Sequence, residues 1–238
     1  MSDMAVRTLE RSLAQALGIY ERAVRYLHPP RITDLQARLK AHVVALEHAL
    51  EQAENTPGLP DEFLKGMHLV FEALCLFMDI DQRVQAFSNV LKSLRKGSQA
   101  LETLYPLRHA YPLLGEVFLE KAATPRRTFL DPVVPPGAKV GLIHVGTEED
   151  PYARGSHSLY VPESYDGSRP WPLVVALHGG YGHGRDFLWM WLREAKSRRF
   201  LLLAPSSRLQ TWNILKPRYD YDPLIAALET LQSQWKID

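Results

Sequence analysis

Two architectures are predicted in one chain: an antiparallel helical bundle over residues 1–130, then an α/β unit over residues 131–238. Apolar residues recur at steps of three and four in the first part and gather into short runs broken by turns in the second. Glycine and proline divide the same way, with 5 of 14 glycines up to residue 130 and 9 after it, and 10 of 17 prolines also after it. At 238 residues the chain is long enough for two modest cores.

The first helix is marked by Leu9, Leu13, Leu17, Tyr20, Val24 and Leu27 and stops at Pro29-Pro30. A second stripe, Leu35, Leu39, Val43, Leu46 and Leu50, has Thr33 or Asp34 as its cap and ends before Pro57-Gly58. The third starts after Pro60 with Asp61 as cap, carries Leu64, Met67, Phe71, Leu74 and Met78, and continues through Val84, Phe87, Leu91 and Leu94 to Gly97. Shorter helices follow around Leu101 and Val117, for a bundle of about four or five elements with short connections.

Asp131-Pro132-Val133-Val134-Pro135-Pro136-Gly137 reads as a stiff linker and sets the boundary. Residues 140–145 and 158–161 read as strands, 172–177 as a central strand buried on both faces, and 200–204 as another. One helix is expected over 185–199 and a second over 223–235. That order predicts a parallel sheet with right-handed crossovers, and the strand at 200–204 is expected to lack its next neighbour.

Composition excludes several classes. Hydrophobic residues are 46% and charged residues 23%, and the net charge of +1 offers no global field for a polyanion, so nucleic acid is not an expected partner. The single cysteine, Cys75, permits neither an internal disulfide nor a cysteine-based zinc site and fits a reducing, cytoplasmic setting. The N-terminus does not begin as a secretory signal, and the apolar stretch 69–80 falls short of the ~20 residues of a spanning helix, so a soluble chain is expected.

Chemistry is concentrated in His178-Gly179-Gly180-Tyr181-Gly182-His183-Gly184, between a strand and a helix. Glycines there let backbone N–H groups approach a ligand, and a helix start adds partial positive charge. A dinucleotide loop is excluded: the third glycine would fall at Arg185 or Phe187, and the next strand ends Ala204-Pro205-Ser206-Ser207 without an acid. No glycine-lysine pair makes a Walker loop. What remains is the loop after the third strand of an α/β-hydrolase, which supplies one donor of an oxyanion hole.

Residues 154–238 resemble the front half of the α/β-hydrolase esterases of the phospholipase/carboxylesterase type, which are similar also to polyhydroxyalkanoate depolymerases and feruloyl esterases. The resemblance rests on Tyr160-Val161-Pro162 with Tyr165, on Pro172-Leu173-Val174-Val175-Ala176-Leu177-His178-Gly179-Gly180, on Ala204-Pro205-Ser206-Ser207 and on Thr211-Trp212. It implies that the helical bundle is followed by the first part of an α/β-hydrolase sheet. It also implies that the N–H of Gly180 or Tyr181 meets the acyl oxyanion, while His178, with Gly179 and Gly182, supports the loop. Ser206, Ser207 and Trp212, beyond the carboxyl end of a strand, are expected near substrate.

The GxSxG elbow of a serine hydrolase is absent: glycines four apart are only Gly137/Gly141 and Gly180/Gly184, centred on Lys139 and Gly182. In the resembled family the elbow comes shortly after a helix that ends much as 231–238 does, so the chain is expected to be truncated before it. No catalytic Ser, Asp or His is therefore assigned.

The remaining candidates read as structural. The nine histidines form no HExxH, and His42 and His48 are six apart, so no metal and no cofactor are expected. Cys75, on the third stripe, reads as a packing thiol. Arg193, Lys196, Arg198 and Arg199 read as a solvated helix end, with phosphate recognition as the sharper alternative. The expectation is a carboxylic ester hydrolase acting on small esters or lipids when its triad is supplied, and inactive as this chain alone. The alternative is a non-catalytic binding or assembly protein, a homo-oligomer through its bundle.

Overall fold

The computed structural model describes residues 3–80, 86–146 and 150–238. The chain forms two compact units, Met1–Phe118 and Leu119–Asp238. The division lies ahead of the expected boundary at 130/131 because the intervening residues pack with the second unit. Leu119, Ala123 and Leu130 share a core cluster, the Glu120 N–H donates to Ser197 Oγ at 2.8 Å, and Asp131 pairs with Lys196.

The first unit is helical: α1 (Asp3–Arg25), α2 (Ile32–Glu54), α3 (Asp61–Met78), α4 (Ala86–Leu104) and the short α5 (Pro112–Val117). Leu9, Leu13, Leu17 and Tyr20 bury as their spacing predicts, and so do Leu35, Leu39, Leu46 and Leu50. On α3 the buried stripe is rotated by about one residue, to Phe63, Met67, Val70, Leu74 and Phe77, leaving Leu64, Phe71 and Met78 half-buried. The third stripe is not one helix to Gly97. α3 ends at Met78 and α4 runs back along it, as Asn89 Nδ2 donating to Asp79 O, Ser93 Oγ to Ala73 O and Lys96 pairing with Glu72 show. The expected passage through Val84 lies outside the described residues. Gln36 Nε2 donates to the carbonyls of Phe77, Met78 and Ile80, which satisfies the end of α3 that the continuous reading overlooked. Residues chosen as helix caps are not caps: α2 begins at Ile32 and α3 at Asp61 itself.

The second unit has α6 (Arg127–Leu130), then β1 (Gly141–Val145), β2 (His157–Val161), β3 (Leu173–Val175), α7 (Gly184–Leu188), α8 (Leu192–Arg198), β4 (Leu201–Pro205) and α9 (Arg218–Gln234). The sheet order is β1-β2-β4-β3. It is mixed, not parallel: β2 runs antiparallel to both β1 and β4, and only β3 and β4 are parallel.

The central strand is β4, buried at all five residues between two neighbours, and not the segment at 172–177, of which only Leu173–Val175 forms a strand, half-buried at the edge. The side that needs a neighbour is consequently that of β3. Among the described residues it is occupied only at Trp171, whose N–H donates to Lys236 O and whose carbonyl accepts from Asp238 N. Alternation of β-strand side chains sends Leu159, Leu201 and Leu203 to one face, against Leu231 of α9 and Trp235 just beyond its end. On the other face α7 packs against β2 and β4 and α8 against β4.

The single helix expected over 185–199 is two pieces, interrupted at 189–191. α7 can lie close to β4 only through Gly184, where a Cβ would collide with the Ala204 carbonyl. No described helix is long and apolar enough to cross a membrane.

Candidate functional site

The loop 176–184 leaves β3 at its carboxyl end and enters α7, so it lies where parallel strands present ligands. Its first anchor is His178, buried at 2% exposure. The Ser207 N–H donates to His178 Nε2 at 3.0 Å, so that nitrogen carries no proton, and Nδ1, 2.7 Å from Gly179 O, donates. Burial pushes the His178 pKa down, as does Arg154, against opposing contributions from the Gly179 hydrogen bond and Asp220. The imidazole is a neutral brace. Trp212 completes it, donating from Nε1 to His178 O at 2.8 Å with its ring 5.0 Å from the imidazole.

His183 and Ser206 resemble a catalytic pair, at 3.1 Å between Nε2 and Oγ, but their protons are arranged the wrong way. The Arg185 N–H donates to His183 Nδ1, which leaves the ring proton on Nε2. Ser206 Oγ therefore accepts from His183, and it accepts again from the Gly184 N–H at 3.0 Å. A serine that receives two hydrogen bonds and faces a donor has no base to take its proton. Ser207 Oγ is equally engaged, donating to Leu209 O at 2.6 Å. Both serines are buried, so of the three residues expected near substrate only Trp212 keeps a partly open surface.

The glycines and Tyr181 divide the remaining work. Tyr181 holds φ of 63°, a left-handed conformation unusual for a side chain of its size, while Gly179, Gly180 and Gly182 do not. Its N–H donates to Gln210 O at 2.6 Å, so it already has a protein acceptor. The Gly182 N–H donates to Gly179 O at 3.1 Å, and Gly182 O accepts from Arg154. A Cβ on Gly179 would meet nothing, and one on Gly180 only Thr211 Oγ1 at 4.0 Å. Neither glycine is demanded by backbone conformation or by packing within the chain. Of the two residues expected to hold an oxyanion, Gly180 presents an N–H that no backbone carbonyl takes among the described residues.

Sequence reading overlooked Asp220, whose carboxylate receives the N–H groups of Arg208 and Asn213, both at 2.8 Å, and so holds the 208–213 loop beside the glycines. It overlooked Tyr152, which donates to Asp186 at 2.9 Å and lies against the His183 ring. An acid in a run of charged and aromatic residues carries no spacing signal that would single it out.

The basic cluster of α8 is not a solvated anion site. Lys196 is wholly buried, 2.7 Å from Asp131 and 3.4 Å from Glu163, whose Oε2 also accepts from Tyr160 OH. Arg198 pairs with Glu120, and Arg199 lies over the rings of Trp171 and Phe129. Cys75 is half-buried, with its thiol pushed up by burial and by Asp79, Glu47 and Glu72, which disfavours a reactive thiolate. Among the described residues, no three His, Cys, Asp or Glu side chains gather as a metal site. Comparison with family models, with curated proteins and with solved structures finds no match for the chain.

Proposed function

We propose that residues 119–238 carry the oxyanion loop of a serine carboxylic-ester hydrolase of the phospholipase/carboxylesterase type, whose acyl transfer to a serine and then to water needs a triad that this chain does not supply. The observation that carries the reading is the state of Gly179 and Gly180. Two glycines beyond the end of β3 have free space above them, the Gly180 N–H takes no backbone acceptor among the described residues, and a neutral histidine braces the turn. Preorganised backbone donors of this kind stabilise charge that develops on an acyl oxygen and need no reorganisation during the reaction. Support from sequence is the order of the Tyr160-Val161-Pro162, His178-Gly179-Gly180 and Ala204-Pro205-Ser206-Ser207 segments.

The division of labour follows. His178 positions the loop and moves no proton, because both of its ring nitrogens are committed to backbone partners. Gly180 donates to the oxyanion. Tyr181 can become a second donor only by releasing Gln210 O, so its participation requires the 208–213 loop to shift. The nucleophile and its base are not among Ser206, Ser207, His178 and His183.

Fluorophosphonate labelling and p-nitrophenyl ester hydrolysis, on the full product of the gene, test the reading. It predicts labelling of a serine outside Ser206 and Ser207 and a loss of about 10²-fold or more in kcat for Gly180→Pro, which removes one N–H. Ester hydrolysis indifferent to Gly180→Pro would overturn it, as would the absence of both labelling and hydrolysis, which would favour a binding role through the helical unit.

A further inference from the structure

The loop between β4 and α9 displays an apolar tip that the fold holds in water. Ile214 is 90% exposed and Leu215 94%, the two most exposed of the large hydrophobic side chains described. They sit side by side at the corner of a turn closed by the Lys216 N–H donating to Asn213 Oδ1 at 2.8 Å. Both ends of the loop are fixed. Asp220 receives the Arg208 and Asn213 N–H groups, and Trp212 donates to the His178 carbonyl. The protruding tip therefore belongs to a tethered loop.

Charge along the loop has one sign. Arg208, Lys216 and Arg218 are exposed, and residues 206–219 contain no acid. The first acid after them, Asp220, is turned inward onto two backbone amides, and Asp222 is the next. Trp212, Tyr219 and Tyr221 lie in the same segment, and an open cleft of about 590 Å³ is lined by residues 209–215. Paired exposed aliphatic side chains, with cations before and after them in the chain and amphipathic aromatics in the adjoining sequence, are the residue types that a bilayer surface accommodates: hydrocarbon, anionic headgroup, interface.

We infer that residues 208–219 dock this protein on an anionic lipid surface, with Ile214 and Leu215 entering the acyl boundary and Arg208, Lys216 and Arg218 meeting lipid phosphates. The net charge of +1 does not oppose this, because headgroup attraction acts over about a Debye length and senses the local cations. A protein partner fits less well. Stable protein contacts bury about 800 Å² on each side and are depleted in lysine, whereas this tip is two side chains wide with cations before and after it in the chain. Docking does not need the ester-hydrolase reading. Where that reading also holds, docking brings the Gly180 loop, joined to this segment through Tyr181 N–H to Gln210 O, to a surface rich in acyl esters.

Co-sedimentation of the full chain with phosphatidylcholine vesicles, with and without roughly 30 mol % phosphatidylserine, tests the inference. Binding is expected to the anionic vesicles, weakened by salt. The Ile214→Ser/Leu215→Ser double variant, which keeps its fold because neither side chain is packed, is expected to bind at least tenfold more weakly. The Lys216→Glu/Arg218→Glu variant is expected to lose more than about tenfold, since each cation near such a surface contributes about fivefold. Absence of wild-type binding to anionic vesicles overturns the inference, and so does equal binding by the variants. Self-association of the wild type that Ile214→Ser/Leu215→Ser abolishes, without vesicle binding, assigns the tip to a protein contact instead. None of these outcomes depends on ester hydrolysis.

Discussion

At the residue scale, the site is held by two histidines whose protons are assigned by backbone partners. His178 accepts the Ser207 N–H, so protonation would break that bond and place a charge in a buried position. Burial lowers its pKa below the ordinary 6.5, and it lowers that of His157 as well. A histidine depressed on folding binds its proton more readily in the unfolded chain. Its contribution is thus complete above about pH 6.5 and is lost as pH falls from there through the folded pKa. Denaturant midpoints of the second unit are expected to drop between pH 7.5 and pH 5.5, and less steeply in His178→Gln. A midpoint that is flat across this range would count against the neutral brace.

Two positions in the same loop make opposite predictions. Tyr181 occupies the left-handed region, which costs an L-residue with a side chain roughly 1–2 kcal/mol. Tyr181→Gly is expected to raise stability by about 0.5–1 kcal/mol in urea unfolding, the smaller figure reflecting the freedom glycine adds to the unfolded chain. Gly184→Ala, by contrast, drives a Cβ into the Ala204 carbonyl, a backbone atom that cannot swing aside, and is expected to cost about 1–3 kcal/mol or more. Gly180→Ala meets only Thr211 Oγ1 at 4.0 Å and is expected to be nearly neutral for stability. Equal losses at 180 and 184 would show that the space above Gly180 is needed by the fold.

At the scale of elements, α8 is tied to the sheet by a buried charge, and apolar packing is only part of its attachment. Lys196 is fully buried between Asp131 and Glu163, and removing it leaves two carboxylates without their cation. Lys196→Met is expected to destabilise the second unit by about 3–5 kcal/mol, while adding Asp131→Asn should recover part of that loss. Stability curves of the single and double variants check this. A double variant as unstable as the sum of both singles would mean that the two groups do not couple. This contact was illegible beforehand. A lysine near Arg193, Arg198 and Arg199 has the pattern of a solvated helix end, and only the packing of α8 beside Asp131 reverses that reading.

At the scale of the molecule, the two units differ in how they satisfy their backbones. The helices of the first bond within themselves and bury apolar stripes on one another, whereas among the described residues the outer side of β3 in the second is paired only just before the strand, at Trp171. Expressed separately, residues 1–118 are expected to fold with cooperative protection from amide exchange. Residues 119–238 are expected to protect Leu201–Leu203 strongly, to protect Leu173–Val175 weakly, and to associate through the β3 edge. Equal protection of β3 and β4 in a monomeric segment would show that the edge is self-sufficient.

The stripes of α1 and α2, the positions of all four strands and the strand, glycine loop, helix order around His178 were legible in the sequence because each is a local pattern. Period 3.6, a short apolar run and a cluster of glycines express themselves within a dozen residues. The turn-back between α3 and α4, the antiparallel setting of β2, the central place of β4, the burial of Lys196 and the engagement of Ser206 were decided by tertiary structure. They depend on which segments meet across tens of residues. A strand reads alike whichever way its neighbour runs, and a polar side chain reads alike whether water or a distant carboxylate is waiting for it.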